Sequence, residues 1–301
     1  MAGNLIGEEV LEHQHGKARV RVARKWIGPA GTQVIVEWSV SISLTSTALP
    51  AFTSGDNSAI VATDTIKNTV YVMAKKCTER LTIEEFGVVI GKHFVTTYPE
   101  VSAAKVTLIE KPWERVSLDG KPHEHGFKLG SEKRTADIYT TKDGSSKVKS
   151  GIQELILLKT TQSGFEGFIH DRYTLLADTN ERMMASSVRA IWSYSKKPYS
   201  YEEAYMAVKA ALMSKFYGPT QGGVYSPSVQ NTLYTMAKEA LAKVPEVESI
   251  YLNMPNIHFL PVNLPGIGVK FKDDVYLPTD EPHGTIEASL TRKGLLPVSK
   301  L

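Results

Sequence analysis

The sequence predicts an α+β protein built from antiparallel sheets that carry helices on one face. Strand-like alternation runs from Gln33 to Leu44, where apolar side chains fall on one face and serine and glutamate fall mostly on the other. Segments with helical spacing and capping residues follow, and a similar order of strands and helices returns in the second half. Helices packed on one face of a long antiparallel sheet define this fold class.

Four strand segments organise the first half. Residues 19–24 alternate, residues 33–44 alternate over a longer span, and residues 28–31 supply the turn between them. Strands resume at residues 105–116 and around residues 127–139. Strands of this length leave sheet edges open, and the pairing of subunits into a barrel would remove those edges.

Two helices are predicted between these strands. Residues 61–71 have helical spacing, with Thr63 or Asp64 placed to cap the helix. A second helix begins at Thr82, where Thr-x-x-Glu85 forms a capping box. The apolar residues along this helix are Ile83, Phe86, Val89, Ile90 and Phe94. We expect this apolar stripe to face the sheet.

The second half follows a similar plan. Strands at residues 151–161 and 182–194 precede a helix that is capped at Ser200. Another helix is predicted to begin at Ser226-Pro227, with proline at the first helical position, where its missing N–H costs nothing. The last strands are residues 250–262 and 286–290.

The two halves share identical residues as well as a similar order of strands and helices. VATDTIKNTVYVMAK at residues 61–75 aligns without gaps on VYSPSVQNTLYTMAK at residues 224–238. A matching order of elements around this window favours an internal duplication, with the helix order swapped between the halves. Residues 141–147 form a polar stretch that predicts a linker. The sequence therefore predicts two domains, residues 1–147 and residues 148–301.

Composition bounds the class of protein. The chain has 301 residues, of which 42% are hydrophobic and 22% are charged, as is typical of a soluble globular protein. Its net charge of +3 is too mild to indicate a nucleic-acid partner. No apolar run approaches the roughly 20 residues of a membrane helix, and the N-terminal residues do not match a secretory signal. The single cysteine, Cys77, excludes an internal disulfide or a thiolate cluster.

Common cofactor and metal motifs are missing from the sequence. GxGxxG, GxxxxGK[ST], GxSxG, HExxH and CxxC do not occur. The pairs His13/His15 and His123/His125 have the spacing of chelating histidines on a strand, but neither has a third ligand at metal-site spacing. We therefore interpret these histidines as hydrogen-bonding or incidental residues and predict no metal site.

The stretch from Leu155 to Arg182 combines an apolar strand, a polar turn, a ring at Phe165 and a cation at Arg182. A ring beside a planar guanidinium suits a flat, anionic, nitrogen-rich ligand, which needs stacking on its face and paired hydrogen bonds on its edge. The alternative is that Phe165, Phe168 and Tyr173 are core residues and Arg182 is a solvated surface charge. Taken alone, this stretch favours the alternative.

Further candidates lie at helix starts and on a late strand. The helix starts at Thr63-Asp64 and at Ser228-Val229-Gln230 present free backbone N–H groups, which can hold an anion. The Gln230 amide adds a donor and an acceptor for a purine-like edge. Most helix starts, however, bind only water and their own caps. Asn256 and His258 fall on one face of a strand, whereas nothing local distinguishes Lys17, which precedes the first predicted strand.

Five segments in order resemble one known family. They are GKxxVRV (16–22), VATDTIKNTVY (61–71), LLKTTQSGFEGF…R (157–182), GGVYSPSVQNTLY (222–234) and MPNIHF (254–259). Together they resemble urate oxidase (uricase), over nearly the whole chain. The resemblance implies two tandem tunnelling-fold (T-fold) domains per subunit and a barrel-like homotetramer with active sites at subunit interfaces. It also implies the oxidation of urate by dioxygen and water to 5-hydroxyisourate and hydrogen peroxide, without a metal or organic cofactor.

The resemblance also implies roles for individual residues. Arg182 and Gln230 would bind the edge of urate, Phe165 would stack on its face, and Leu176 would line the pocket. The main-chain N–H groups of Asp64 and Val229 would contribute further donors, with Thr63 also contacting the substrate. The residues of the implied proton relay are Lys17, Thr63 and His258. Asn256 would hold the water or dioxygen above the ring.

The final tripeptide, Ser299-Lys300-Leu301, matches the signal read by the peroxisomal import receptor. We therefore expect a peroxisomal protein, in the compartment where catalase removes peroxide. Two other functions stay open. One is a T-fold enzyme acting on pterins or purines, a hydrolase or aldolase, although Gln230 stands where such an enzyme would carry an anchoring acid. The other is a non-catalytic purine-binding protein, against which the set Lys17, Thr63 and His258 argues.

Overall fold

The structure is a computed structural model that describes residues 4–6, 9–28 and 31–292. The chain divides into two compact units, Met1–Ser150 and Gly151–Leu301. Each unit contains a hydrophobic core of its own. None of the helices in the described ranges is long and apolar enough to cross a membrane.

The first unit contains eight strands and three helices within its described residues. In chain order they are β1 (Asn4–Ile6), β2 (Glu9–Leu11), β3 (His15–Ile27), β4 (Gln33–Ser46), α1 (Leu49–Thr53), α2 (Thr63–Lys76), α3 (Ile83–Thr97), β5 (Val101–Glu110), β6 (Trp113–Leu118), β7 (Lys121–Leu129) and β8 (Lys133–Thr141). Strands β3, β4, β5 and β8 pair in that order, each antiparallel to the next. Helix α2 packs on β3, and α3 packs on β5 and β8.

The core of the first unit lies between this sheet and its helices. Every second residue of β4 from Val36 to Leu44 is buried, as the alternation predicts. Trp38 stacks on Phe86 of α3 with ring centroids 4.4 Å apart. The predicted stripe of α3 is buried except for Val89, which is 39% exposed, so Ile90 is the stripe residue at that turn. The capping box of Thr82 and Glu85 is present.

The second unit repeats the plan that β3, β4, α2, α3, β5 and β8 form in the first unit, which is two strands, two helices and two strands. Strand β9 (Ser146–Lys159) contains the boundary between the units, and the later elements are β10 (Met184–Tyr194), α4 (Tyr201–Tyr217), α5 (Val229–Lys243), β11 (Val247–Asn253), β12 (Asn256–Pro261), β13 (Tyr276–Thr279) and β14 (Glu287–Thr291). The sheet order β9, β10, β11, β14 matches the order β3, β4, β5, β8 of the first unit. Strands β12 and β13 extend this plan, since β12 also pairs with β10.

The topology supports a duplication, but it does not support the alignment of residues 61–75 with residues 224–238 that suggested it. That sequence alignment pairs α2 with α5. Helix α5 is instead the last α-helix of its unit and packs on β11 and β14, as α3 is the last α-helix of its unit and packs on β5 and β8. By position in the fold α5 therefore corresponds to α3, because equivalent elements of a repeat share their order and packing partners.

Helices α2 and α5 both begin differently from the prediction. Helix α2 begins at Thr63 itself, its N-cap is Ala62, and no side chain caps it, so the capping roles predicted for Thr63 and Asp64 are wrong. Helix α5 begins at Val229 rather than at Ser226-Pro227. Its N-cap is Ser228, whose Oγ accepts a hydrogen bond from the Asn231 N–H at 3.1 Å. The Ser228 hydroxyl thus satisfies a free backbone N–H in the first turn of α5. Pro227 has no side-chain acceptor and could not cap the helix.

Two further details differ from the sequence expectation. Residues 142–145 form a tight turn between β8 and β9, closed by a hydrogen bond from the Thr141 N–H to the Ser145 carbonyl at 3.0 Å, and not a linker. Lys17 lies within β3 rather than before it. The tripeptide Ser299-Lys300-Leu301 lies outside the described residues.

Candidate active site

A pocket of about 550 Å³ in the second unit collects most of the predicted site residues of that unit. The predicted residues that line it are Phe165, Leu176, Arg182, Val229, Asn256 and His258. They come from the loop after β9, the start of α5 and the strand β12. Gln230 is exposed in the first turn of α5 and is not part of the pocket wall that the described residues form.

A narrow neck in the loop after β9 brings Phe165 and Arg182 together. The Phe165 N–H donates to the Thr179 carbonyl at 2.7 Å, and the Thr179 N–H donates back to the Phe165 carbonyl at 3.0 Å. The Arg182 N–H then donates to the Ser163 carbonyl at 2.8 Å. As a result, the guanidinium carbon of Arg182 lies over the Phe165 ring, 5.2 Å from its centroid. This is within the distance of a cation–π contact.

Arg182 is half-buried and only partly satisfied. Its Nε is buried and has no hydrogen-bond partner among the described residues. Burial also lowers the pKa of the guanidinium from its usual value. A buried cation with a free donor favours an anionic ligand, because the ligand would supply both the missing hydrogen bond and the missing negative charge. The interpretation of Arg182 as a solvated surface charge is therefore wrong.

The start of α5 reaches the pocket through a short bridge to the same loop. The Ser226 N–H donates to the Gln162 carbonyl at 2.9 Å, and the Gly164 N–H donates to the Ser226 carbonyl at 2.9 Å. The Tyr225 side chain lies so close to Gly164 that a Cβ there would be 2.0 Å from the Tyr225 hydroxyl oxygen. Val229, three residues after this bridge, is buried and contributes to the pocket wall. The positive end of the α5 dipole therefore lies at the pocket.

Strand β12 supplies the polar pair Asn256 and His258. It pairs with β10 through Ser186 opposite Asn256, and with β13 through His258 opposite Thr279. Residues two apart on a strand point to the same face, and both of these side chains line the pocket. The pocket thus has a cation and a ring from one segment, and an amide and an imidazole from another.

Sequence reasoning missed part of the pocket wall. Phe271, Asp273 and Tyr276 also line it. The Tyr276 hydroxyl donates to the Asp273 carboxylate, and this bond raises the pKa of Tyr276 to about 12. The sequence of residues 262–276 has no strand or helix period that would have marked these side chains, so only the folded chain places them at the pocket.

The remaining candidates, Lys17, Thr63 and Asp64, belong to the first unit. Lys17 is half-buried and lines a groove of about 380 Å³ on the sheet, beside His15 and Ser41. The pairing of β3 with β4 shifts register between Lys17 and Val20, which marks a β-bulge. Bulges re-aim the side chains beside them, and Lys17 is the last paired residue before this one.

Thr63 and Asp64 occupy the exposed first turn of α2. The Lys67 ammonium donates to Asp64 at 2.6 Å and, together with a weaker attraction from Lys17, lowers the pKa of the Asp64 carboxyl. Lys17 and Asp64 are thus close enough to interact electrostatically. The His15 imidazole, 3.0 Å from the Val61 carbonyl oxygen, joins the start of β3 to the segment before α2.

Neither histidine pair belongs to a metal-ligand cluster. Within residues 4–6, 9–28 and 31–292, no group of three His, Cys, Asp or Glu side chains is arranged to hold a metal ion. The His123 ring accepts a hydrogen bond from the His125 N–H at 3.1 Å, and His13 contacts the Phe52 ring with centroids 4.7 Å apart. In the described structure these histidines make hydrogen bonds and ring contacts.

Comparison with known proteins gives a consistent result. A model of the family described as uricase matches residues 13–139 and 148–287. The chain is 55% identical to Uricase-2 isozyme 1 of Canavalia lineata, over 97% of this chain and 98% of that protein. It is 57% identical to the uricase of Arabidopsis thaliana, over 94% of this chain and 96% of that protein.

A solved structure agrees with this match. The crystal structure of the uricase from Arthrobacter globiformis superposes with a TM-score of 0.87 at 33% identity, covering 96% of this chain and 97% of that one. Family, sequence and fold comparisons thus extend over almost the same residues. The chain therefore belongs to the uricase family.

Proposed function

We propose that this protein oxidises urate in purine catabolism. The reaction is urate plus dioxygen plus water, giving 5-hydroxyisourate and hydrogen peroxide, and atoms and electrons balance without a further reactant. The observation that carries the proposal is the half-buried Arg182, with an unpartnered Nε, beside the ring of Phe165 in a pocket of a uricase-family chain. A flat purine anion is complementary to both groups.

In this proposal the second unit binds the substrate. Arg182 and the Gln230 amide hold the edge of urate, and Phe165 stacks on its face. Leu176 closes the side of the pocket, and the Val229 N–H adds a donor at the positive end of α5. Gln230 is exposed in the isolated chain, so its role requires that the bound urate or a neighbouring copy reach the first turn of α5.

The electrons come from urate itself. Dioxygen is a triplet and reacts slowly with closed-shell organic molecules, which is why most oxidases use a metal or a flavin. An electron-rich urate dianion can donate an electron directly to dioxygen. Arg182 and the start of α5 favour negative charge on the ligand and so lower its pKa. Asn256 holds water or dioxygen next to the bound ring. We propose a reaction that uses no cofactor.

The proton relay comprises Lys17, Thr63 and His258. The Asp64 N–H adds a main-chain donor beside Thr63 at the start of α2. We propose that the chain forms two T-fold domains, residues 1–147 and 148–301, and assembles as a barrel-like homotetramer. In each site the Lys17–Thr63 side belongs to one copy and the Arg182 pocket belongs to its neighbour. Support comes from the open polar face around Lys17 and from the repeated four-stranded sheet.

We further propose that the peroxisomal import receptor binds Ser299-Lys300-Leu301, because this tripeptide matches its signal and because catalase in that organelle destroys the peroxide product. A fluorescent protein fused before the last ten or so residues should enter peroxisomes. The same fusion carrying Leu301→Asp should stay outside, and peroxisomal entry of both fusions would contradict this part of the proposal.

The decisive experiment follows urate by its ultraviolet absorbance while oxygen uptake is recorded with enzyme stripped of metals. We expect one dioxygen to be consumed and one hydrogen peroxide to be formed for each urate lost. A chain that binds urate without consuming it would be a purine-binding protein. A chain that neither binds nor oxidises urate but converts a pterin would instead be a hydrolase or aldolase. Either result would overturn the proposal.

A further inference from the structure

The Phe165 ring is the first member of a column of three stacked rings. Phe168 stacks on Phe165 with centroids 4.7 Å apart and planes 8° apart. His170 stacks on Phe168 with centroids 4.4 Å apart and planes 13° apart. Parallel rings at these distances attract one another beyond the apolar area that they bury. Arg182, Phe165, Phe168 and His170 therefore form one continuous series of contacts.

An acidic side chain lies beside the far end of this column. His170 Nε2 lies 3.4 Å from Asp178 Oδ2, and Asp178 Oδ1 accepts a hydrogen bond from the Gly167 N–H at 2.8 Å. Asp178 also precedes Thr179, which forms the neck of the loop with Phe165. The Asp178 carboxylate thus contacts both His170 and the Gly167 N–H, which lies between the two phenylalanines, and Asp178 is adjacent to Thr179.

The column determines which face of Phe165 a ligand can use. Phe165 and Asp178 belong to the pocket wall, whereas Phe168 and His170 are not part of the wall that the described residues form. Phe168 covers one face of the Phe165 ring. A flat ligand therefore has only the opposite face, which it must share with the Arg182 guanidinium that lies over the ring. The column also restricts rotation of the Phe165 ring before the ligand arrives, and binding then costs less conformational entropy.

We propose that Phe168 and His170 are positioning residues, which hold the ring of Phe165 in the plane that a flat purine anion requires. This inference rests on the proposed function, since it assigns to these residues a part in binding the same substrate. His170 acts through ring stacking, and Asp178 keeps its imidazole in the column. Neither residue touches the substrate or the reacting atoms.

The test compares four substitutions in the full-length enzyme. Phe168→Leu removes the middle ring of the column. His170→Ala removes the third ring, and His170→Phe keeps a ring while it removes the polar contact with Asp178. Leu175→Ala is the control, because Leu175 lies in the same loop, is 97% exposed and takes no part in the column. The dissociation constant of urate is measured by calorimetry under nitrogen, where no turnover occurs. KM, kcat and the thermal midpoint are measured in parallel.

For His170→Ala we expect the urate dissociation constant and KM to rise by about three- to tenfold, the range that the loss of one aromatic pair implies. We expect kcat to change by less than about twofold, because the reacting atoms are untouched. His170→Phe should restore binding, and Leu175→Ala should bind as the wild type does. Phe168→Leu should weaken binding at least as much as His170→Ala.

Unchanged binding in His170→Ala, or a His170→Phe variant that binds no better than His170→Ala, would overturn the proposal. So would a fall in the thermal midpoint and in kcat with no change in KM, since that pattern indicates a merely structural role. Failure of the proposed function would give a different result, because the wild-type enzyme itself would then bind and oxidise no urate.

Discussion

The imidazole Nε2 of His15 donates a hydrogen bond to the main-chain carbonyl of Val61 across 3.0 Å. His15 lies two residues before Lys17, and Val61 lies two residues before Thr63. One bond between distant parts of the chain thus fixes the strand that carries Lys17 against the segment that begins α2. Because the carbonyl needs a donor, the bond also determines that His15 Nε2 carries a proton.

We expect His15→Phe to lower kcat for urate more than it raises KM, because it loosens Lys17 and Thr63, the two members of the proposed relay that belong to the first unit. It leaves the Val61 carbonyl without this donor, and we expect a loss of about 1 kcal/mol or more in the free energy of unfolding. The matched control is His13→Phe, which can keep the ring contact with Phe52. Equal effects of the two substitutions, measured by steady-state kinetics and urea denaturation, would argue against a positioning role for His15.

Gly16 is required by close packing rather than by its backbone angles. A Cβ at this position would lie 1.9 Å from the Ile42 carbonyl oxygen of the neighbouring strand. Gly16→Ala must therefore push β3 away from β4 next to Lys17, and we expect a loss of at least about 1–3 kcal/mol of stability together with most of the activity. Ala18→Gly, two residues further along, is a control with little expected effect. Circular dichroism melts and initial rates check both variants.

Lys17 and Arg182 should give different kinetic signatures. Lys17→Met removes the proposed proton acceptor and leaves the pocket of the second unit intact, so we expect kcat to fall by about 10²-fold or more with KM little changed. Arg182→Gln removes the cation that we propose binds the purine edge, so we expect the urate dissociation constant to rise as well. Titration under nitrogen measures binding without turnover. Similar, modest losses in both variants would contradict the assigned roles.

Lys159 connects stability to pH. Its ammonium donates to the Val224 carbonyl at 2.9 Å and to Ser226 Oγ at 2.6 Å, and burial lowers the pKa of Lys159 from 10.5 to about 8, with a partial opposing effect from Glu181. Between these two pKa values the unfolded chain binds more protons at this residue than the folded chain does. The stability contributed by Lys159 therefore rises with pH across that window and is lost as pH falls through about 8.

The corresponding measurement is the free energy of unfolding of the wild type minus that of Lys159→Met, followed from pH 7 to pH 10.5. We expect this difference to grow in favour of the wild type above a pH of about 8. The control is Lys197→Met, which removes a lysine from the exposed turn after β10 and should give a difference that is flat with pH. A flat profile for Lys159→Met would show that Lys159 keeps an ordinary pKa in the folded chain.

The sequence alone determined the elements and part of the site. The alternation in β4 correctly identified its buried face, because a half-buried strand must alternate. The capping box at Thr82 correctly located the start of α3, because local hydrogen bonds decide where a helix begins. The spacing of Asn256 and His258 placed both side chains on one face of a strand, where they line the same pocket.

Local pattern failed where distant contacts compete with it. Pro227 indicated an early start for α5, but Ser226 is held by its bridge to Gln162 and Gly164, so the helix begins only at Val229. No local feature marked Lys17, and only the motif that surrounds it drew attention to it. Its neighbourhood depends on the register shift of β3 and on the bond from His15 to Val61, which joins residues far apart in sequence.

The same physical reason separates what could be predicted about the site from what could not. Residue types and their spacing indicated that Phe165 and Arg182 suit a flat anion, but taken alone they favoured a solvated arginine. Only the folded chain decided that Arg182 is half-buried over the Phe165 ring, and that Phe168 and His170 complete a column with that ring. Burial and stacking depend on which segments meet, and long-range packing sets those contacts.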